Sequence, residues 1–285
     1  MDFERRYGVY FERFESYLND FISALDGEKR LEDAIKYSLL GGGKRIRPVL
    51  ALAFADLLGV KVEKILPFAL ATELIHTSSL IHDDLPALDN DDLRRGRPSN
   101  HKVYGEGLAV IAGDATLNLA YELLFSVLNG EREAKAAEYL AEAAGYKGML
   151  GGQSLDIAFS TALDERSLLS VDMLKTCKLI TAPIVVADIL AGGDGKEFEE
   201  FGNDLGLLFQ FVDDYLDEFG DSAKLGKSLG KDKSENKLTA LSVYGQAGSK
   251  EKINELCAKC VEFLRKFENS EFLTDLVRSI AEREK

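Results

Sequence analysis

The segment ILPFALATELIHTSSLIHDD, residues 65–84, decides the fold class. Its apolar residues recur at three- and four-residue spacing, and Thr72, His76, Ser79 and Asp83 fall within one narrow arc at about 3.6 residues per turn. This is the pattern of a helix buried on most sides with a single polar seam. Such a seam needs partners. Core hydrogen bonds would account for His76 taken alone, but Asp83 and Asp84 at the end of the seam demand more.

Outward from this segment the same spacing continues nearly throughout. With five prolines in 285 residues and no sustained alternation of period two, the chain reads as all-α. The periodicity predicts helices over 2–25, 31–40, 48–58, 63–84, 107–129, 131–148, 167–177, 180–191, 196–218, 235–245, 249–267 and 270–283. Polar breaks at 41–47, 85–106 and 219–234 are rich in Asp, Lys or Arg rather than Ser and Pro. No linker or repeat divides the chain, so residues 1–285 are expected to form a single domain. Segments 48–58, 107–128 and 203–217 are apolar on most faces and are expected to sit centrally.

Composition narrows the function. The 35 basic and 49 acidic residues leave a net charge of -14, which argues against binding nucleic acid or an anionic membrane. An anionic substrate must then be held by local cations or metals. Cys177, Cys257 and Cys260 are too few for a disulfide scaffold and suit a reducing cytoplasm. The CAKC pair, with no further Cys or His nearby, reads as two neighbours on a helix. The N-terminus is charged at once and no apolar run reaches the ~18 residues a membrane span requires, so a soluble, unprocessed chain is expected.

Two acidic clusters carry the chemistry. In DDLPALDNDDLRRGRP, residues 83–98, Asp83 and Asp89 would lie on opposite sides of an unbroken helix, but Pro86 interrupts it and lets the carboxylates converge. Five aspartates within ten residues repel one another unless a cation joins them, and oxygen ligands favour a hard ion such as Mg²⁺. A solvated acidic loop would explain this run if it stood alone. However, LLFQFVDDYLD, residues 207–217, repeats the chemistry, with Gln210, Asp213, Asp214 and Asp217 on one arc. Carboxylates buried beside aromatics need neutralisation, and paired metal ions supply it. Two such sites imply a diphosphate clamped between them. Cations stand alongside: Lys44, Arg45 and Arg47 in GGGKRIRP before a helix N-terminus, then Arg94, Arg95 and Arg97, then Lys224, Lys227, Lys231, Lys233 and Lys237.

Taken in order, GGGKRIRP, HTSSLIHDDLPALDNDDLRRGRPSNH, AGDATL, GGQSLDI, LKT, FQFVDDYLD and LGKSLGKD resemble the trans-prenyl diphosphate synthases, the farnesyl and geranylgeranyl diphosphate synthases, over essentially the whole chain. The resemblance implies the isoprenoid synthase fold, an antiparallel helical bundle around a central active-site cavity. It also implies Mg²⁺, with Mn²⁺ as a substitute, held by Asp83, Asp84, Asp89, Asp213, Asp214 and Asp217 on an allylic diphosphate. Arg94, Lys175, Lys227 and Lys237 would assist there, while Lys44, Arg47, His76 and Arg95 would hold isopentenyl diphosphate. Lys175, Thr176 and the Gln210 carbonyl correspond to groups facing the allylic cation. A homodimer is implied as well. Two positions depart from the family pattern: Cys177 replaces the usual glycine after Lys-Thr, and Ala240 and Leu241 replace an aromatic-proline pair. Small side chains at Ser78 and Ser79, where an aromatic stops growth in that family, favour farnesyl diphosphate with extension to geranylgeranyl diphosphate. Phe54, Phe125 or a partner-subunit residue are the alternative floors of the pocket.

Three rivals are weaker. A ferritin-like di-metal bundle needs two ExxH motifs, and Glu73 with His76 gives one. A terpene cyclase would not require the Lys44, Arg47 and His76 group for a second diphosphate. A non-catalytic subunit would be expected to lack one acidic motif, and both are present.

Overall fold

The computed structural model describes residues 2–158, 164–220 and 238–283. Helices α1 (Phe3–Ser23), α2 (Lys29–Leu39), α3 (Ile46–Leu57) and α4 (Val62–Asp83) come first. A two-stranded antiparallel hairpin follows, with β1 (Leu93–Arg94) paired to β2 (Arg97–Pro98). Next come α5 (Asn100–Tyr104), α6 (Glu106–Ser126), α7 (Glu131–Ala144), α8 (Met149–Ala158) and α9 (Glu165–Asp172). A π-helical turn, Met173–Cys177, leads into α10 (Lys178–Ala191) and α11 (Lys196–Phe219). Beyond the described gap stand α12 (Ala240–Leu264) and α13 (Glu271–Ala281).

One apolar core runs from Tyr10 on α1 to Ile280 on α13. Helix α3 buries every residue from Pro48 to Ala55, and α10 buries nearly every residue from Leu179 to Leu190. Phe54 is fully buried among Phe198 and Phe201, with ring centroids 5.7 and 5.5 Å away. The close seam between the π turn and α11 depends on Gly206, where a Cβ would come within 2.6 Å of Cys177 Cα.

Four differences from the sequence reading have physical causes. The 107–128 segment is not central: α6 packs on α4 and turns Val110, Ile111 and Phe125 outward, Phe125 being 71% exposed. Among the described residues α6 is also the one helix long and apolar enough to cross a membrane by length and composition, with a third of that stretch buried and with Asp114 and Glu122 within the helix. No helix was expected over 149–158, where α8 lies; Gly152 is the place where α8 meets the π turn, a Cβ there lying 2.2 Å from the Lys175 amide nitrogen. The segments 235–245 and 249–267 join as α12, which kinks at Gly245 (φ 68°). The break at 85–106 contains the hairpin and α5.

Candidate active site

Asp83 is the last residue of α4, and beyond it the chain folds back on itself. The amides of Asp89, Asn90 and Asp91 donate to the carbonyls of Asp83, Leu85 and Asp84 at 2.8, 3.1 and 3.1 Å. Pro86 sits in this turn, and Asn90 takes a left-handed conformation (φ 50°). Asp83 and Asp89 are thereby brought within electrostatic reach of each other and of Lys175. Burial pushes the Asp83 carboxyl up to about 6; Lys175 and Arg94 oppose that rise while Asp89 and Asp84 add to it.

The neighbouring carboxylate is differently placed. Asp84 is buried and accepts from Arg94 Nε at 2.9 Å and from a terminal nitrogen of the same guanidinium, which also reaches Asp91 at 3.2 Å. Asp84, expected among the metal ligands, is paired here with Arg94, whose position on β1 it fixes. Asp214 is also engaged within the protein. Its Oδ1 accepts from Gln210 Nε2 at 2.7 Å and its Oδ2 from the Ala240 amide at 2.7 Å. Thr176 Oγ1 donates to Gln210 Oε1 at 2.8 Å, so these two groups, each expected to face the substrate cation, are bonded to each other.

Lys175 projects from the π turn, a widened turn often found at functional sites. Its Nζ donates to Asp156 Oδ2 at 2.6 Å, and Asp83 and Asp89 add to the charges that hold it protonated. Asp156 was given no role in the sequence reading, although it lies in the quoted GGQSLDI stretch. Asp172, just before the turn, was likewise missed. Its Oδ2 is buried without a hydrogen-bond partner, and burial followed by Asp214 and Asp156 pushes its carboxyl well above the usual range.

On α11, Asp213 accepts from an Arg283 terminal nitrogen at 3.0 Å, and that guanidinium lies 4.9 Å from the Phe209 ring centroid. Arg283 stands 70 residues from Asp213 and no local pattern pointed to it. Asp217, one turn beyond Asp213, is buried. Among the described residues no three acidic, His or Cys side chains form a ready metal cage. The donor set nevertheless suits Mg²⁺, which commonly takes one or two carboxylates and completes its shell with phosphate oxygens and water.

The cations gather at the start of α3. Arg45 caps that helix in a left-handed conformation (φ 51°) and is wholly engaged inside the protein. Arg47, two residues on, has its Nε buried with no partner, and burial lowers its guanidinium to about 10. Asp213 lies within its electrostatic reach. Arg95 (φ 54°) donates to the Gly42 carbonyl and lies over Gly43, where a Cβ would meet its Cζ at 2.8 Å. Lys44 is lowered by burial and then by Arg283, and its carbonyl accepts from the Tyr7 hydroxyl. His76 faces this group. Burial, then Arg47, Arg95, Arg94 and Arg45, hold its imidazole well below the ordinary range, so it stands neutral among arginines. Lys227 and Lys237, with Lys224, Lys231 and Lys233, lie outside the described residues.

A family model described as polyprenyl synthetase matches residues 28–280. Geranylgeranyl pyrophosphate synthase 7, chloroplastic, of Arabidopsis thaliana is 43% identical over 267 residues, covering 90% of this chain and 77% of its own. Farnesyl diphosphate synthase of Geobacillus stearothermophilus is 43% identical over 248 residues, covering 84% and 83%. A solved geranyltransferase from Helicobacter pylori, complexed with magnesium and isoprenyl diphosphate, superposes with a TM-score of 0.83 at 31% identity, covering 96% of this chain and 94% of that one. With a helical bundle that brings acidic and cationic side chains together from distant segments, the chain belongs to the polyprenyl synthetase family, as a short-chain trans-prenyl diphosphate synthase with the all-α isoprenoid synthase fold.

Proposed function

We propose that this prenyltransferase condenses dimethylallyl or geranyl diphosphate with isopentenyl diphosphate in a Mg²⁺-dependent reaction, making farnesyl diphosphate and extending part of it to geranylgeranyl diphosphate. The observation that carries this reading is the second anion site. Arg47 keeps a buried Nε–H without a hydrogen-bond partner, and His76 is held neutral among guanidiniums. A diphosphate entering there would receive charge-assisted hydrogen bonds from Arg47, Arg95 and Lys44.

Asp83, Asp89 and Asp213 would hold Mg²⁺, which supplies charge neutralisation for a departing diphosphate. Arg94, fixed by Asp84, and Lys175, fixed by Asp156, add positive charge on the same side. The Thr176 hydroxyl and Gln210 amide form a preorganised dipole whose negative end suits an allylic cation. Asp214 accepts from the Gln210 amide and positions it. The isopentenyl double bond attacks that cation, and a proton leaves to the released diphosphate. Outward-facing Val110, Ile111 and Phe125 on α6 support the further reading of a homodimer, and three free cysteines suit a reducing cytoplasm.

Product length is read from Ser78 and Ser79 on the last turns of α4. Ser78 is buried and small. Phe54 is packed in the aromatic core and Phe125 is exposed, so neither supplies a floor within this protomer. Incubation with isopentenyl diphosphate and each allylic diphosphate, with Mg²⁺ or with excess chelator, tests the reading. Turnover is expected only with metal, and Asp213→Ala should abolish it; undiminished turnover in chelator would overturn the metal assignment.

A further inference from the structure

Glu73 is a carboxylate buried among cations, at 2% exposure on α4, one turn before His76. Its Oε1 accepts from Arg45 at 2.7 Å, and Arg45 donates onward to Glu15 Oε1 at 2.7 Å and to the Leu39 carbonyl at 2.6 Å. Each Arg45 nitrogen is thus bonded within the protein, and this arginine needs no substrate. Glu73 acts beyond its own pair. It is the carboxylate that most strongly favours the charged forms of Arg47 and Arg95, whereas Glu15 bears on neither.

We propose that Glu73 is a positioning residue whose fixed negative charge holds the second-substrate guanidiniums in place and limits how tightly that site grips a diphosphate. The proposal rests on the condensation reading above. Arg47 and Arg95 stand within electrostatic reach of each other, and Glu73 is the carboxylate that acts on both. Without a counter-charge they would repel one another when the site is empty and bind diphosphate strongly when it is filled. A site emptied and refilled at every condensation gains from a weaker, faster-exchanging grip.

The test is titration calorimetry of isopentenyl diphosphate in excess chelator at low ionic strength, with melting temperature measured beside it. Arg47→Ala should weaken binding tenfold or more, as expected for losing a charged hydrogen bond. Glu73→Gln keeps an oxygen for Arg45 but removes the charge, and should tighten binding by about fivefold or more. Glu15→Gln should lower the melting temperature and leave affinity unchanged. If Arg47→Ala has no effect, the condensation reading of this site fails. If Arg47→Ala weakens binding while Glu73→Gln leaves it unchanged or weakens it, the counter-charge proposal is overturned. Equal tightening by Glu73→Gln and Glu15→Gln would also overturn it, since the effect would then pass through a loosened Arg45. Should Glu73→Gln not fold, Arg45→Gln carries the test in the opposite direction. It leaves the Glu73 charge uncompensated and should weaken binding at least fivefold, by the same Coulomb argument; unchanged affinity overturns the proposal.

Discussion

Asp83, proposed above as a metal ligand, is maintained against stability. Its carboxyl is raised from 3.8 to about 6 in the folded protein, mainly by burial. The folded state therefore binds the proton more tightly than the unfolded chain. Below about pH 4 both states are protonated and the residue costs nothing; between about 4 and 6 the penalty grows, and above that it is complete. In metal-free protein Asp83→Asn should consequently melt higher than wild type at pH 7 and equally at pH 3.5, as measured by calorimetry. Added Mg²⁺ with diphosphate should reverse the order at pH 7 by stabilising the wild type more. The clustering of Asp83 and Asp89 around Pro86 was legible in the sequence, because a proline break lets carboxylates on either side converge. The sequence did not disclose that Asp84 and Asp214 would bond to Arg94, Gln210 and the Ala240 amide, since those partners lie 4 to 26 residues away in the chain and depend on how the loops fold. Arg283 was hidden for the same reason, at still greater separation.

The element most at odds with its local sequence is α8. Glycine pairs weaken a helix, and this one holds Gly151 and Gly152. The packing explains it: the missing side chain lets α8 approach the backbone of the π turn, and that approach sets Asp156 against Lys175. Gly152→Ala improves helix propensity by about 1 kcal/mol but forces the turn away, an overpacking penalty of about 1–3 kcal/mol. The expected outcome is a lower melting temperature and a kcat reduced tenfold or more, with the KM for isopentenyl diphosphate little changed because Arg47 and His76 sit elsewhere. A normal kcat would show that the turn accommodates the methyl group. The capping box of α12, in which Thr239 and Ser242 exchange hydrogen bonds, is a further junction set by local residues, and it delivers the Ala240 amide to Asp214.

At the scale of the molecule, helical periodicity made the all-α class plain, because 3.6-residue spacing survives whatever the tertiary arrangement. Which helix lies at the centre was not plain. An apolar helix facing solvent or a partner reads the same in sequence as one in the core, and α6 was misjudged on that account. If its outer face joins two copies, Ile111→Asp should yield a monomer in sedimentation, while an unchanged assembly would place the interface elsewhere. Chain length is likewise a property of the whole cavity. Each isoprene unit adds five carbons, and burial at ~0.8 kcal/mol per CH₂ favours extension by up to roughly 4 kcal/mol. Ser78→Tyr should therefore shift products toward farnesyl diphosphate, as read by chromatography of the dephosphorylated alcohols. If wild type stops wholly at farnesyl and Ser78→Tyr changes nothing, the limit is set by another side chain.

The π turn at Met173–Cys177 has a consequence for rotational phase. It carries one residue more than an α-helical turn, so α9 is wound about 100° out of step with α10 relative to an uninterrupted helix. Deleting Leu174 would take up that surplus and let the two helices run on as one. Every side chain before the deletion would rotate by one position, carrying Asp172 away from Asp214 and Asp156 and separating Glu165 from Tyr244, from whose hydroxyl it now accepts at 2.9 Å. The helix would gain regular hydrogen bonds, and the Lys175–Asp156 and Thr176–Gln210 pairs would lose their alignment.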